Sequence, residues 1–336
     1  MIKPFIIAEI GVNHNGDLQN AMALIDAAKN SGADAVKFQS FSAERLSSIH
    51  TPKVPYQAAN DFRSSHFQML KDLELTFEEQ EILFDYCKAN EIEFMSTPYS
   101  VTDALFLNNL GVDKFKIASA DIVDLPLNEA VASFGKLTLI STGMANEMEI
   151  SEAISCYQAR STPFVLLHTT SEYPTSPENV NLNKLDRLRG LGAVELGFSD
   201  HSQDSISALV SLGFGCKYFE KHLTLDKTAE GPDHSASCDP AEFRSYVAAI
   251  NNAFKLLGSR DINQTNGELD MALTSRKSLH FSRRMEAGEK LNEEDLRLLR
   301  PGTGIPWSQR SLVLGKVVSS PVSDGEFVKK DLSQFE

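Results

Sequence analysis

The sequence predicts an α/β protein, a (β/α)8 TIM barrel followed by a small β-rich module. Eight short apolar runs precede residue 230, helical patterns lie between them, and short alternating strands and turns take over from Ser278. Nearly continuous apolar runs are typical of parallel strands that are covered on both faces. A doubly wound open sheet is the alternative, but no GxGxxG motif follows the first run.

The elements of the barrel alternate regularly along the chain. The predicted strands cover residues 5–12, 35–40, 93–98, 114–119, 137–143, 164–170, 194–201 and 218–224. Asp17 can cap the first helix and Gly32 can end it, whereas Thr76 and Glu79 form the capping-box pattern of the helix before the third strand. Further helices are predicted at about 101–110, 146–158, 202–213 and 240–257.

Three stretches lie outside this alternation. Residues 41–75 are too many for a simple βα loop, and their prolines and polar residues favour a lid or a substrate-covering insertion. We assign residues 1–260 to the barrel, 261–277 to a polar linker and 278–336 to the β-rich module. A module of about 60 residues is barely stable alone, so we expect it to dock on another surface.

Composition excludes several classes of protein. The 336 residues are 42% hydrophobic and 23% charged, which is normal for globular domains. A net charge of −14 argues against nucleic acid or a membrane surface as a partner, but not against an anionic small molecule. No apolar run reaches the roughly 20 residues that span a bilayer, and the N-terminal pattern is not that of a signal peptide. Four cysteines without a CxxC pair indicate reduced thiols and a cytoplasmic location.

Polar residues follow all eight predicted strands, and in such a barrel the active site lies at the carboxyl ends of the strands. Lys37 and Lys116 would be costly inside the barrel without anionic partners, so they predict a site for a phosphate or a carboxylate. Serine and threonine hydroxyls at neighbouring strand ends would add further donors. The alternative to an anion site is that Lys37 extends its ammonium group to solvent and that the hydroxyls only cap helices.

Two histidines, His201 and His222, end consecutive strands. Two imidazoles in this arrangement can share one metal ion and leave positions open for substrate. Side chains two residues apart share a face of a strand, so Ser199 should lie beside His201, and Glu220 beside His222. Taken alone, two strand-end histidines are more often hydrogen-bonded structural residues than metal ligands.

Ten motifs in order resemble those of bacterial sialic acid synthases. They are AEIGVNHNGD (8–17), KFQSF (37–41), STPYS (96–100), KIASAD (116–121), ISTGM (140–144), HTTSEYP (168–174), GFSDH (197–201), EKHLTLDK (220–227), GPDHSAS (231–237) and RPGTGIP (300–306). The resemblance covers nearly the whole chain, and the C-terminal module resembles the antifreeze-like (SAF) domain of that family. The motifs look more like sialic and legionaminic acid synthases than pseudaminic acid synthases.

The resemblance implies a metal-assisted condensation of phosphoenolpyruvate with open-chain N-acetylmannosamine, which gives N-acetylneuraminate and phosphate. A legionaminic acid synthase that uses 2,4-diacetamido-2,4,6-trideoxymannose is the close alternative. A barrel metal aldolase or hydrolase and a non-catalytic sugar-binding protein are alternatives from other classes.

The resemblance also implies roles for individual residues. The metal, Mn²⁺ or Mg²⁺, is expected on His201 and His222. The phosphoenolpyruvate ligands are expected to be Lys37, Lys116, Ser119, Ser141, Ser171 and Ser199. The sugar ligands are expected to be Glu9, Gln39, Thr97, Tyr173, Asp233 and Arg300. Catalytic roles are expected for Asp121, Glu9, Lys37 and Lys116.

This sequence departs from the family at two of these positions. Asp121 stands where the family has a glutamate, so its side chain is one methylene shorter. Ser171 replaces an asparagine that some members carry.

Arg300 matches an arginine that the C-terminal module brings over the barrel of a partner subunit, which implies a domain-swapped homodimer. The rigid fork of donors in arginine suits the recognition of sugar oxygens. Without the resemblance, Arg300 would be interpreted as a surface arginine before a turn.

Overall fold

The computed structural model describes residues 3–53, 60, 61, 63 and 65–336. The chain divides into two compact units, Met1–Gly258 and Ser259–Glu336.

The first unit contains eight strands, β1 to β8. Their bounds are Phe5–Gly11, Ala35–Ser40, Glu93–Pro98, Lys114–Ile117, Leu137–Ser141, Phe164–Thr169, Glu195–Asp200 and Cys216–His222. They follow the order β3-β2-β1-β8-β7-β6-β5-β4 with every pair parallel, and β3 lies beside β4. The predicted TIM barrel is therefore confirmed; of its strands, β8 begins at Cys216, earlier than predicted.

Apolar side chains fill the lower part of the barrel interior. This inner cluster comprises Ile7, Ala35, Met95, Leu139, Val165 and Leu167, all fully buried. Two residues further along the same strands, on the same face, lie Glu9, Lys37, Thr97, Ser141 and Thr169. The inner face thus changes from apolar to polar toward the carboxyl ends of the strands.

Helices α1 to α11 belong to this unit. Their bounds are Leu18–Asn30, Ala43–Leu46, His66–Leu73, Phe77–Ala89, Val101–Leu110, Leu125–Ser133, Glu147–Gln158, Pro177–Val180, Lys184–Arg189, Ile206–Gly213 and Pro240–Leu257. The Asp17 cap of α1 and the Thr76–Glu79 capping box of α4 are both formed, as predicted. Helix α10 starts at Ile206, because residues 202–205 form bends rather than a helical turn.

The stretch 41–75 contains α2 and α3 and has its own apolar cluster. This insertion cluster comprises Val12, Phe41, Ala43, Met69, Leu70 and Leu73. The part of the predicted lid at 54–59, 62 and 64 lies outside the described residues, and the mobility of the stretch stays a prediction.

The second unit packs around Leu279, Phe281, Leu291, Val313 and other buried apolar residues. Strands β9 (Ser278–Phe281) and β10 (Leu296–Leu299) are antiparallel, and isolated bridges join the surrounding turns.

The segment predicted as a linker, 261–277, contains a helix, α12 (Asn266–Ser275). A capping box between Thr265 and Glu268 starts it, and none of its residues is buried. The polar composition of the segment favoured a linker, whereas its capping box was the local signal for a helix. Among the described residues, no helix is both long enough and apolar enough to cross a membrane.

Candidate active site

A cavity of about 710 Å³ opens at the carboxyl ends of the barrel strands. Most residues predicted for the site line it: Glu9, Lys37, Gln39, Thr97, Lys116, Ser119, Ser141, Ser171, Tyr173, Ser199, His201, His222 and Asp233. Ligand pockets of enzymes have this size and combine apolar walls with a few convergent polar groups.

The two lysines inside the barrel have acidic partners. Lys37 Nζ lies 2.7 Å from Glu9 Oε2 and 3.8 Å from Glu220 Oε2, and it donates a hydrogen bond to Thr97 Oγ1 at 3.0 Å. Lys116 Nζ lies 3.9 Å from the same Glu220 oxygen. Each of these ionisable side chains is at most 5% exposed. The result is a buried network of two ammonium groups and two carboxylates, in which attraction between opposite charges opposes the cost of desolvation.

Burial and these neighbours shift the pKa values in different directions. Burial raises the pKa of Glu9, and Lys37 only partly offsets it. Burial alone would also raise the pKa of Glu220, but Lys116 and Lys37 outweigh it and lower that pKa. Burial lowers the pKa of Lys116, whereas for Lys37 the two carboxylates outweigh burial and raise the pKa. Glu220 is therefore the permanent anion of the network, and Glu9 is the carboxyl that can hold a proton near neutral pH.

A cradle of hydroxyl and amide groups lies beside the lysines. The Gly143 N–H donates to Ser119 Oγ at 3.2 Å. A Cβ at Gly143 would meet Ser171 Oγ, as well as Thr169 Cγ2 at 2.6 Å and Ser119 Oγ at 2.8 Å. Only glycine allows the strand end to approach these side chains so closely. Ser141 Oγ is buried and has no hydrogen-bond partner among the described residues.

The two strand-end histidines, His201 and His222, lie side by side in the cavity wall, with ring centroids 5.6 Å apart. The Nδ1–H of His201 donates to the Thr170 carbonyl at 2.8 Å, because a carbonyl oxygen can only accept. This bond leaves the Nε2 of His201 with a free lone pair. Tyr173 stacks on the His201 ring at 4.1 Å.

Both histidines are suited to hold a metal ion. Burial lowers the pKa of His201 to about 4, and burial together with His201 lowers the pKa of His222 well below its ordinary value. Both imidazoles are therefore neutral at pH 7, which is the ligand form. His222 Nδ1 is buried and has no hydrogen bond within the described part of the chain. It lies 3.9 Å from Asp233 Oδ2, whose pKa burial raises to about 6. Within the described ranges, no cluster of three or more histidine, cysteine or acidic side chains could hold a metal, so other coordination positions would go to substrate or water.

Two predicted residues lie elsewhere. Asp121 follows β4 in a short 3-10 turn (Ser119–Asp121) and is not among the residues that line the cavity, although Ser119 and Ala120 are. Its Oδ2 is buried without a partner in the described part of the chain, and burial, together with Asp124, raises its pKa to about 7. Arg300 is exposed in the second unit.

Glu220, to which the sequence motifs gave no role, lies at the centre of the charge network. Besides the lysines, it accepts a hydrogen bond from Ser199 Oγ at 3.0 Å. Its spacing of two residues from His222 was the available signal, since both side chains must face the interior.

Residues of the predicted substrate-covering insertion do line the cavity, although the sequence did not indicate which ones. Leu46, Met69, Leu70 and Leu73 line the cavity together with Val12. Apolar residues of this kind carry no sequence signal that separates a cavity wall from an ordinary core.

Comparison with known proteins identifies the family. The model of the NeuB family matches residues 24–261, and the model of the SAF domain matches residues 276–332. N,N'-diacetyllegionaminic acid synthase of Legionella pneumophila is 41% identical over 96% of this chain and 92% of that protein. The enzyme of the same name from Campylobacter jejuni is 38% identical over 98% of this chain and 100% of its own length.

A solved structure agrees with these relatives. The N-acetylneuraminic acid (sialic acid) synthetase of Leptospira borgpetersenii, in complex with citrate, superimposes with a TM-score of 0.73 at 32% identity and covers 80% of this chain and 90% of that one. The sequence motifs, the barrel with its polar mouth and these matches agree, and the chain belongs to the NeuB family of sialic acid synthases.

Proposed function

We propose that this protein condenses phosphoenolpyruvate with an open-chain N-acetylated hexose to give a nine-carbon keto acid and phosphate. The observation that carries the proposal is the buried pair Lys37 and Lys116, which faces the same cavity as His201 and His222. Two ammonium groups suit a substrate that carries a carboxylate and a phosphate, and the relatives named above are synthases of such keto acids.

The reaction is balanced as follows. C3 of phosphoenolpyruvate forms a bond with the aldehyde carbon, and the aldehyde oxygen takes up a proton. Water adds to C2 of the former phosphoenolpyruvate, and the C2–O bond then breaks and releases phosphate. The keto group keeps the oxygen of that water.

The charges of the network set a condition on the binding of phosphoenolpyruvate. A phosphate monoester carries about −1.5 to −2 at neutral pH, and the carboxylate adds one more negative charge. Glu9 and Glu220 already neutralise the lysines, so binding requires protonation of Glu9, an added cation, or both. The raised pKa of Glu9 favours its protonation. A Mn²⁺ or Mg²⁺ ion on His201 and His222 would supply the added cation and, when bound, act as a Lewis acid toward the aldehyde oxygen.

Two carboxyl groups are our candidates for the proton transfers. We assign Glu9 to protonate the aldehyde oxygen, because it lines the cavity and burial raises its pKa. We assign Asp121 to accept a proton from the attacking water, because a pKa of about 7 matches the requirement for a base at neutral pH. Asp121, whose side chain is one methylene shorter than the glutamate of the family, is not among the residues that line the cavity, so this role needs Asp121 to move toward the bound substrate.

The insertion favours 2,4-diacetamido-2,4,6-trideoxymannose over N-acetylmannosamine as the sugar. Met69, Leu70 and Leu73, each at most 8% exposed, are the buried apolar residues of its wall, whereas Ser47, Ser48 and Thr51 are more exposed polar residues of the same wall. The diacetamido sugar carries a methyl group at C6 and an acetamido group at C4, where N-acetylmannosamine carries hydroxyl groups. Hydroxyl groups against an apolar wall lose their hydrogen bonds to water. The two relatives that are named as diacetyllegionaminic acid synthases point the same way.

We further propose that the enzyme is a homodimer in which the Arg300 of each subunit completes the sugar site of its partner. The family resemblance at RPGTGIP supports this assignment, together with the exposure of Arg300.

The four buried cysteines form no disulfide, which suits the reducing cytoplasm.

Phosphate release tests the proposal. The enzyme is mixed with phosphoenolpyruvate, Mn²⁺ and each sugar in turn, with a sample without sugar and a chelator-treated sample as controls. We expect the kcat/KM of the diacetamido sugar to exceed that of N-acetylmannosamine at least about tenfold. A preference for N-acetylmannosamine would refute the sugar assignment alone, whereas no phosphate release with any N-acetylated hexose would refute the condensation itself.

A lysine Schiff base is the second candidate, and one observation favours it. Burial lowers the pKa of Lys116, as amine nucleophiles require. Borohydride treatment in the presence of pyruvate would then attach the keto acid covalently to Lys116, which mass spectrometry detects. We expect no such adduct.

A further inference from the structure

We propose that the buried ion pair between Asp200 and Lys221, on the outer face of the barrel, positions His201 and His222 on the inner face. Both are thus positioning residues for the metal ion. The inference rests on the metal role proposed above, and it adds residues that do not line the cavity.

The sheet register places the ion pair directly behind the histidines. Asp200 on β7 and Lys221 on β8 are opposite each other in the parallel ladder, and each immediately precedes one of the histidines. Because side chains alternate along a strand, Asp200 and Lys221 point outward while their neighbours point into the barrel. Any change in the separation or twist of the two strand ends at this level moves both imidazoles relative to each other.

The ion pair contacts the residues before and after His201 in the chain. Lys221 Nζ lies 3.3 Å from Asp200 Oδ2 and donates a hydrogen bond to the Ser202 carbonyl. Asp200 Oδ1 accepts from the Ser202 N–H at 2.9 Å and from Ser202 Oγ at 2.6 Å. The residues before and after His201 are therefore both tied to one ammonium group on the next strand. His201 itself is held at its ring by Thr170 and at its carbonyl by the Thr175 N–H.

The burial of this pair indicates that it fixes the positions of the two strand ends rather than stabilising the fold. Asp200 is 1% exposed and Lys221 is 2% exposed, and Lys221 Nζ lies over the ring of Tyr246 on α11, 5.4 Å from its centroid. A buried ion pair pays a large desolvation cost, and apolar residues of similar volume often stabilise a fold as well or better. An ion pair with hydrogen bonds does, however, fix direction and distance, which apolar contacts leave freer.

The same two strands carry a second ion pair that serves as a matched control. Lys217 and Glu195 join β8 to β7 near their amino ends, at the opposite end of the barrel from the histidines. Their side chains are about a third exposed. Neutralising this pair alters the contact between the strands without touching the residues beside His201 and His222.

The test compares the Asp200→Asn/Lys221→Met double variant with the Glu195→Gln/Lys217→Met double variant. The unfolding temperature of each metal-free protein is measured first, and titration calorimetry then gives its affinity for Mn²⁺ at 25 °C. We expect the first variant to remain folded and to bind Mn²⁺ about 10- to 100-fold more weakly, as for residues that orient metal ligands. The control variant and Lys221→Arg, which keeps the charge, should stay within about threefold of the wild type.

The outcomes separate the inference from the proposed function. If the wild type binds no Mn²⁺, the metal role and this inference both fall. If the wild type binds and the Asp200→Asn/Lys221→Met variant binds equally well, only the inference falls. A purely structural pair would lower the unfolding temperature and leave the affinity of the folded protein unchanged. If the double variant does not fold, Asp200→Asn alone, which keeps an acceptor for Ser202, is measured and judged by the same criterion.

Discussion

At the scale of single residues, the site combines groups whose protonation states are set by burial. Asp121 is the clearest case, because its pKa of about 7 lies far above the ordinary value of 3.8. Between these two values the unfolded chain ionises this carboxyl while the folded chain keeps it protonated. Ionisation of Asp121 therefore lowers the free energy of unfolding as pH rises from about 4. Above about pH 7 the group is ionised in both states, and this loss of stability has reached its full value.

Asp121→Asn should thus make the protein more stable and less active. We expect the free energy of unfolding to rise by about 1 to 3 kcal/mol at pH 8 and to be nearly unchanged at pH 4, because asparagine does not ionise. Urea unfolding at several pH values measures this, and turnover should fall at least about 100-fold because the proposed base is lost. The exposed Asp113→Asn is the control, with changes within about 0.5 kcal/mol. An equal stability gain at pH 4 and pH 8 would contradict the assigned ionisation.

Gly143→Ala tests the cradle beside the lysines. The added Cβ would collide with Ser171, Thr169 and Ser119, so we expect a loss of about 1 to 3 kcal/mol in stability. The KM for phosphoenolpyruvate should rise more than the KM for the sugar, because Ser119 and Ser171 are proposed ligands of the former. Gly213→Ala, at the end of α10, has open space around its Cβ and should be neutral. Wild-type kinetics in Gly143→Ala would remove the cradle from the phosphoenolpyruvate site.

At the scale of elements, the barrel strands place the charged groups, whereas the insertion builds the apolar wall. Helix α3 directs Met69, Leu70 and Leu73 into the insertion cluster, and the same residues border the cavity. Substrate choice can therefore change through this helix without any change in the groups that carry the reaction.

Met69→Ala should weaken sugar selection. Shortening this buried side chain opens the wall, so we expect the kcat/KM for the diacetamido sugar to fall about tenfold and that for N-acetylmannosamine to change less. Competition assays with both sugars measure the ratio. Met271→Ala, which changes an exposed methionine on α12, is the matched control. An unaltered ratio in Met69→Ala would show that α3 does not contact the sugar.

At the scale of the whole molecule, the chain consists of two units with separate cores. His222 belongs to the barrel and Arg300 to the second unit. If Arg300 serves the barrel of the partner subunit, defects in the two residues must complement each other across a dimer.

Mixing two inactive variants tests this arrangement. His222→Ala destroys the proposed metal site of its own barrel, and Arg300→Ala removes the arginine that its subunit supplies. After subunit exchange, half of the dimers are mixed and one site in each is intact, so about a quarter of the wild-type activity should return. Each variant alone is the control. No recovery, with exchange verified by mass spectrometry, would place Arg300 in the site of its own subunit.

The sequence alone determined the barrel and most of the residues around the cavity. Strand periodicity fixes which side chains point inward, and the barrel topology brings all carboxyl ends to one face, so Lys37, Lys116, His201 and His222 had to converge. The motifs identified the family because they keep this order along the chain.

Tertiary structure alone decided the rest. It placed Glu220 between two lysines, left Asp121 out of the cavity lining and set Asp200 against Lys221. It also turned Met69, Leu70 and Leu73 of the insertion into a cavity wall. Sequence spacing specifies direction along one strand or helix, whereas distances between side chains, burial and the resulting pKa values arise only when separate elements pack together.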